Sequence, residues 1–128
     1  AIDLKIEIES LDLKISVPCG LVINELVSNA LQHAFPGTDT GKKDRIRICM
    51  YRTNESDVVL VVADNGVGLG HGFDIDNLDS LGLQLVKIFV EDQLNGTIEV
   101  EQKAGTTFRI SFNPDRRLQM KRILDMID

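Results

Sequence analysis

The chain has 128 residues, 43% hydrophobic and 27% charged, with a formal net charge of -6. That length holds one domain with its own core. The acidic balance argues against a module that grips nucleic-acid phosphates by charge, and no apolar run approaches the roughly 20 residues of a membrane span.

Cys19 and Cys49 are too far apart for a CxxC, and neither has a nearby His at metal spacing. Both are expected as buried reduced thiols, which fits a cytoplasmic setting. No signal-peptide pattern is present. The chain begins at Ala, as an excised domain would, so a membrane anchor elsewhere in a parent protein stays open.

In chain order, AIDLKIEIES alternates Ile2, Leu4, Ile6 and Ile8 with polar neighbours and predicts a half-buried strand. LDLKISV is expected to continue as a short strand or extended segment. Pro18 suits the first turn of a helix running to about Phe35, where Pro36-Gly37 stops it. GTDTGKKD is a loop. RIRICMYRT and VVLVVAD, joined by the turn NESD, predict an antiparallel hairpin. NGVGLGHGFDIDNLD is a long glycine-rich loop, the kind that carries function in compact domains. From Ser80, SLGLQLVKIFVEDQLNG is helical and closes at Asn95-Gly96. TIEVEQ and TTFRISF form a second hairpin around Lys103-Ala104-Gly105. The tail RRLQMKRILDMID sets Met120, Ile123, Leu124 and Ile127 on one face of a last helix. Strands in runs with few helices argue α+β: helices over one face of a mixed sheet of about five strands. Residues 1–113 are expected to form the domain and 114–128 an amphipathic helix or linker.

Three stretches could carry chemistry. NELVSNALQH places Glu25, Asn29 and His33 at every fourth position, close to one row on a helix of about 3.6 residues per turn. On the wheel Val22, Leu26, Ala30 and Ala34 face inward, Asn24, Ser28 and Gln32 face solvent, and Glu25 and Asn29 sit at the border. Such a border can be plain solvated surface. It can also offer Asn29's amide oxygen to a hard cation such as Mg²⁺, which accepts few protein ligands and completes its shell with water and phosphates. Asp64 ends a strongly apolar strand before Asn65-Gly66, a turn common in any β-rich protein. The loop after it has neither the GxxxxGK[ST] of a P-loop nor a Rossmann spacing. Ser80 is a plausible N-cap, Gly82 lets a backbone come close, and the start of such a helix suits a phosphate.

Taken in order, NELVSNALQHAF, DNGVGL, SLGLQLV and AGTTFRISF resemble the ATP-binding catalytic domain of sensor histidine kinases, in particular the subfamily whose helix reads NELVxNALxHAF. That superfamily also holds type II topoisomerase and mismatch-repair ATPases. The resemblance covers roughly residues 2 to 112. It implies a two-layer α/β sandwich with ATP between the helices and a lid, here Leu69 to Leu81. By position it implies that Asn29 ligates Mg²⁺ and that Glu25 assists the attacking nucleophile. Asp64 would read the adenine amino group, reinforced through water by Thr106. Gly66 and Gly68 would admit the base and lid, and Gly82 and Leu83 would open the helix beneath the phosphates.

The implied partners are ATP, a His-bearing dimerisation domain of the parent chain and, indirectly, a response regulator, with no nucleic acid and no membrane contact by this domain. An anti-sigma-factor-like serine kinase and a nucleotide-dependent partner-binding module are the alternatives. Two departures stand out. Many relatives carry Lys where this chain has Gln32, and the lid has no Lys or Arg. Neither His33 nor His71 lies in a substrate-His motif.

Overall fold

A computed structural model of the chain describes residues 2–8, 10–34, 44–68, 80–114 and 123–127, without the side chains of residues 33 and 34. Strand β1 is Ile2–Ile6, and helix α1 is Leu13–Asn29, followed by a π turn over Ala30–Ala34. Strands β2 (Ile46–Arg52) and β3 (Val58–Asp64) come next. Helix α2 (Leu81–Ile88) runs into a second π turn at Phe89–Gln93, and β4 (Thr97–Glu101) and β5 (Thr106–Phe112) complete the sheet. Five strands lie in the order β1-β2-β3-β5-β4, with β1 parallel to β2 and every other neighbour antiparallel. This is the mixed α+β sheet that the strand and helix pattern predicts.

Alternation explains the layers. Ile46, Ile48 and Met50 of β2 share a face with Val58, Leu60 and Val62 of β3 and with Phe108, Ile110 and Phe112 of β5, and all nine are buried. Ile15, Cys19, Val22 and Leu26 of α1 and Ala30 of its π turn pack onto that face together with Leu83, Val86, Val90 and Leu94 from the α2 segment. Each fully buried aliphatic side chain contributes about 1.5–3 kcal/mol, so this single interface holds the two layers together. Both hairpins form where expected. Asn95 takes the left-handed φ of 51° that closes the α2 segment, and the Gly96 amide donates to the Val90 carbonyl at 2.8 Å.

The opening of the chain differs from expectation. LDLKISV is not extended: α1 begins at Leu13, and Pro18 lies inside it. Asp12 is the true N-cap, its Oδ1 accepting from the Lys14 amide at 2.9 Å. An internal proline forgoes one amide bond, at a cost of roughly 3 kcal/mol. The cap, together with the core row that starts at Ile15 and passes through buried Pro18 itself, outweighs it. Strand β1 exists but is not half-buried, since all five of its residues are exposed. Ile2, Leu4 and Ile6 register with Ile46, Ile48 and Met50, hence on the helix-covered face. As an edge strand, β1 lies beyond the reach of α1 among the described residues. Ile8 and Leu11, just past it, do pack against the core.

Cys19 is buried and Cys49 only half-buried, and neither forms a disulfide. Residues 123–126 form one helical turn with Ile123 and Leu124 exposed, while Met120, Phe35 and the segment 69–79 fall outside the described residues. No described helix is long and apolar enough to cross a membrane.

Candidate functional site

Topology brings the marked residues to one end of the sheet. Strand β1 starts beside Ile46 and ends beside Met50, so the chain leaves it at the edge away from Asp64. A helix of 17 residues then spans about 25 Å, the length of a seven-residue strand, on its way back. The last turns of α1, with Glu25 and Asn29, therefore arrive where β3 ends and β5 begins.

Asp64 and Thr106 face each other across the antiparallel pair of β3 and β5, on the helix-covered face, with Ile46 next in the row. Directly opposed side chains have Cβ atoms about 4.5–5.5 Å apart. Thr106 is the buried polar residue of the described core, and Asp64 is half-buried. The Gly66 amide donates to Asp64 Oδ1 at 2.9 Å. That bond fixes the carboxylate's orientation and leaves its other oxygen to accept from a ligand. Asn65 ties the same turn to the start of β2: its Oδ1 accepts from the Arg45 amide at 2.8 Å, and its own amide donates to the Arg45 carbonyl at 3.2 Å.

Two glycines let the lip of this pocket close. Gly68 has φ 82°, and a Cβ there would lie 3.1 Å from Gln102 Oε1 and 4.0 Å from Thr106 Oγ1. Gly105 has φ 127°, and a Cβ there would sit 1.9 Å from the Asp64 carbonyl oxygen. The motif AGTTFRISF by itself gives Gly105 no role. Its position between the hairpin turn and β5 was visible, but its approach to the backbone of β3 was not.

The second half of the site joins the two helices. Glu25 and Asn29 are half-buried at the α1 border, as the wheel predicts, with Val22, Leu26 and Ala30 inside. Immediately after Asn29 the helix widens into the π turn, and the His33 side chain lies outside what the structure describes. The Glu25 carboxylate lies against the first turn of α2: a Cβ on Gly82 would be 2.7 Å from its Oε2. Ser80 caps α2 as expected, its Oγ accepting from the Leu83 amide at 3.4 Å. Leu83 itself is a core residue. The amides of Leu81 and Gly82 are thus the first-turn donors that the cap leaves over, at the positive end of the helix dipole. Chemically, one end offers a fixed acceptor beside a hydroxyl in an apolar wall, and the other offers amide donors beside a carboxylate, with a carboxamide one turn further along α1. A flat heterocycle with an exocyclic donor fits the first, and a phosphate chain fits the second.

Comparison with known proteins shows the family. The family model described as histidine kinase-, DNA gyrase B-, and HSP90-like ATPase matches residues 15–116. Sensor histidine kinase PdtaS of Mycobacterium tuberculosis is 38% identical over 78 residues, which is 61% of this chain and 15% of that protein. The protein of the same name from Mycolicibacterium smegmatis is 38% identical over 82 residues. This chain thus spans about a seventh of the length of these relatives. Among solved structures, the blue-light activated histidine kinase of Erythrobacter litoralis EL346 superposes with a TM-score of 0.82 at 20% identity, over 92% of this chain and 36% of that one. The catalytic domain of histidine kinase ThkA superposes with a TM-score of 0.62 at 22% identity, over 88% of this chain and 80% of that one. The family match takes in most of the core, both halves of the site and the glycines between them, and so the chain belongs to the histidine kinase-, DNA gyrase B-, and HSP90-like ATPase family.

Proposed function

We propose that this is the ATP-binding catalytic domain of a cytoplasmic sensor histidine kinase, which passes the γ-phosphoryl group of Mg·ATP to a His on a separate dimerisation domain of its parent protein. From that His the group would go on to a response regulator. The observation that carries the reading is the convergence, at one end of the sheet, of the Asp64–Thr106 pair with Glu25 seated on the first turn of α2.

In this reading Asp64 accepts from the adenine amino group while Thr106 closes the floor beside it. Gly66 and Gly68 keep that wall free of side chains, and the Leu81 and Gly82 amides meet the phosphates. The donor set at the phosphate end, an amide oxygen on Asn29 and a carboxylate on Glu25, is hard oxygen and matches a cation that keeps most of its shell in water and phosphate. Mg²⁺, when bound, would neutralise the phosphate oxygens as charge develops on them. Asn29 would hold the cation, and Glu25 would receive the proton that the attacking imidazole sheds. The bond from the γ-phosphorus to the bridging oxygen breaks as the bond to the ring nitrogen forms, and ADP leaves.

The test is transfer of labelled γ-phosphoryl from ATP to the full parent chain, with and without chelator, in wild type and Asn29→Ala. The expected product is labile to acid, as a phosphohistidine is, and both the chelator and Asn29→Ala abolish most of it. Thermal stability should hardly move in Asn29→Ala, because the side chain is half-buried and outside the core. An acid-stable product would favour a serine kinase. Binding of ATP with no transfer to the parent would favour a nucleotide-dependent binding module.

A further inference from the structure

We propose that Gly82 is a positioning residue for Glu25: the missing side chain at the start of α2 is the seat in which the Glu25 carboxylate rests, and that seat aims the carboxylate at the phosphoryl end of the site. The proposal rests on the phosphoryl-transfer reading above and assigns Gly82 a task distinct from lending its amide to a phosphate.

Three observations carry it. First, Gly82 is not needed for its backbone, because its φ lies outside the left-handed range that sets Gly68 and Gly105 apart. Second, glycine in a helix costs about 1 kcal/mol against alanine, so its presence in a capped eight-residue helix asks for a reason in space rather than conformation. Third, the space has one neighbour of consequence. A Cβ at 82 would meet Glu25 Oε2 at 2.7 Å, then Ser80 Oγ at 3.7 Å and Glu25 Cδ at 3.8 Å. No backbone atom is among these nearest three.

The contrast with Gly105 is instructive. There an added methyl group would strike the β3 main chain, and the sheet itself must give. At Gly82 it would strike the free end of a three-torsion side chain, which can swing aside at little cost to the fold. Folding survives such a change, but the aim of Glu25 does not. Misplacing a reacting group by about 1 Å can cost on the order of 100-fold in rate.

Gly82→Ala should therefore separate binding from transfer. In the 128-residue chain, calorimetric affinity for Mg·ATP is expected to fall by less than transfer does, because alanine keeps the amide that meets the phosphates. In the parent, transfer should fall by about tenfold or more. Glu25→Asp, one methylene shorter, lowers transfer on its own but should raise it in the Gly82→Ala background by withdrawing the carboxylate from the new methyl group. A third readout needs no activity: the Glu25 side-chain carboxyl ¹³C resonance, assigned by its loss in Glu25→Gln, should move in nucleotide-free Gly82→Ala. Unchanged transfer in Gly82→Ala overturns the proposal. So does affinity that falls as far as transfer, with Glu25→Asp merely adding to the loss. If the parent transfers no phosphoryl group at all, the functional reading fails and the resonance alone decides: a fixed resonance removes the seat, and a moved one keeps it.

Discussion

Asp64 is the residue whose surroundings say most about ligand choice. With Oδ1 held by the Gly66 amide at 2.9 Å, the remaining oxygen can accept but has nothing to donate. Under the proposed function the adenine amino group would satisfy it, whereas the carbonyl oxygen of guanine would set two acceptors against each other. Sites built around a hydrogen bond reject the analogue lacking the donor by up to about 10⁴-fold. For a pocket that is partly open to water, ATP should be favoured over GTP by at least about tenfold. Asp64→Asn should erode the preference, since an amide can present either a donor or an acceptor. Calorimetry with both nucleotides on both proteins checks this, and equal affinities in wild type would remove Asp64 as the base reader.

A second residue gives a pH dependence. Burial raises the Cys19 thiol from its ordinary 9.0 to about 11. The folded state thus holds the proton more tightly than the unfolded chain does. Its contribution to stability is whole below about pH 9 and is lost as pH rises to about 11. Cys19→Ala should be less stable at neutral pH through lost packing, yet its stability should fall less steeply over that alkaline window. Urea melts at intervals from pH 8 to 11 would show the two curves converging.

At the scale of elements, one substitution should have opposite signs at two glycines. Gly20 is exposed in the middle of α1, and an added Cβ meets nothing within 4 Å, so Gly20→Ala should stabilise by about 0.5–1 kcal/mol. At Gly105 the same change forces a side chain into a left-handed φ and against the Asp64 carbonyl. Strain of about 1–3 kcal/mol, or a shift of β5 away from β3, should follow, with nucleotide affinity falling alongside. Melting temperatures and ATP titrations of the two variants would test the pair. Both hairpins and the closing of the α2 segment were legible in the sequence because turn chemistry and strand alternation are local signals. The start of α1 was not. Pro18 is a strong local cue for a first turn, and the Asp12 cap together with the sheet's demand for an apolar face at Ile15 overrides it. The same limit hid the exposure of β1, whose alternating Ile2, Leu4 and Ile6 cannot reveal that no described helix covers them.

At the scale of the whole molecule, the site is a product of topology. Asp64 and Thr106 are 42 positions apart in sequence and directly opposed in space, while Glu25 reaches Gly82 from the other helix. Ordered motifs pointed to the set, but no spacing along the chain could show that Glu25 meets a glycine or that Gly105 lies on Asp64. The first contact exists only once the two helices pack together on the sheet, and the second only once β5 pairs with β3.

The parallel start of β1 has a consequence for reach. Ile2 pairs with Ile46, and Ile46 with Asp64, so the beginning of the first strand lies two strand spacings, about 10 Å, from Asp64. Phe112, where β5 ends, is at the opposite end of the sheet. Under the proposed function, whatever the parent attaches ahead of Ile2 is therefore leashed at the Asp64 end, and a short leash can hold a target at an effective concentration in the millimolar range. Under the proposed function, about 20 flexible residues inserted just before Ile2 should slow transfer within one chain several-fold, because that local concentration thins as the leash lengthens. The same insertion after Phe112 should leave the rate alone. Equal slowing from both junctions would mean that the acceptor is not delivered along the first strand.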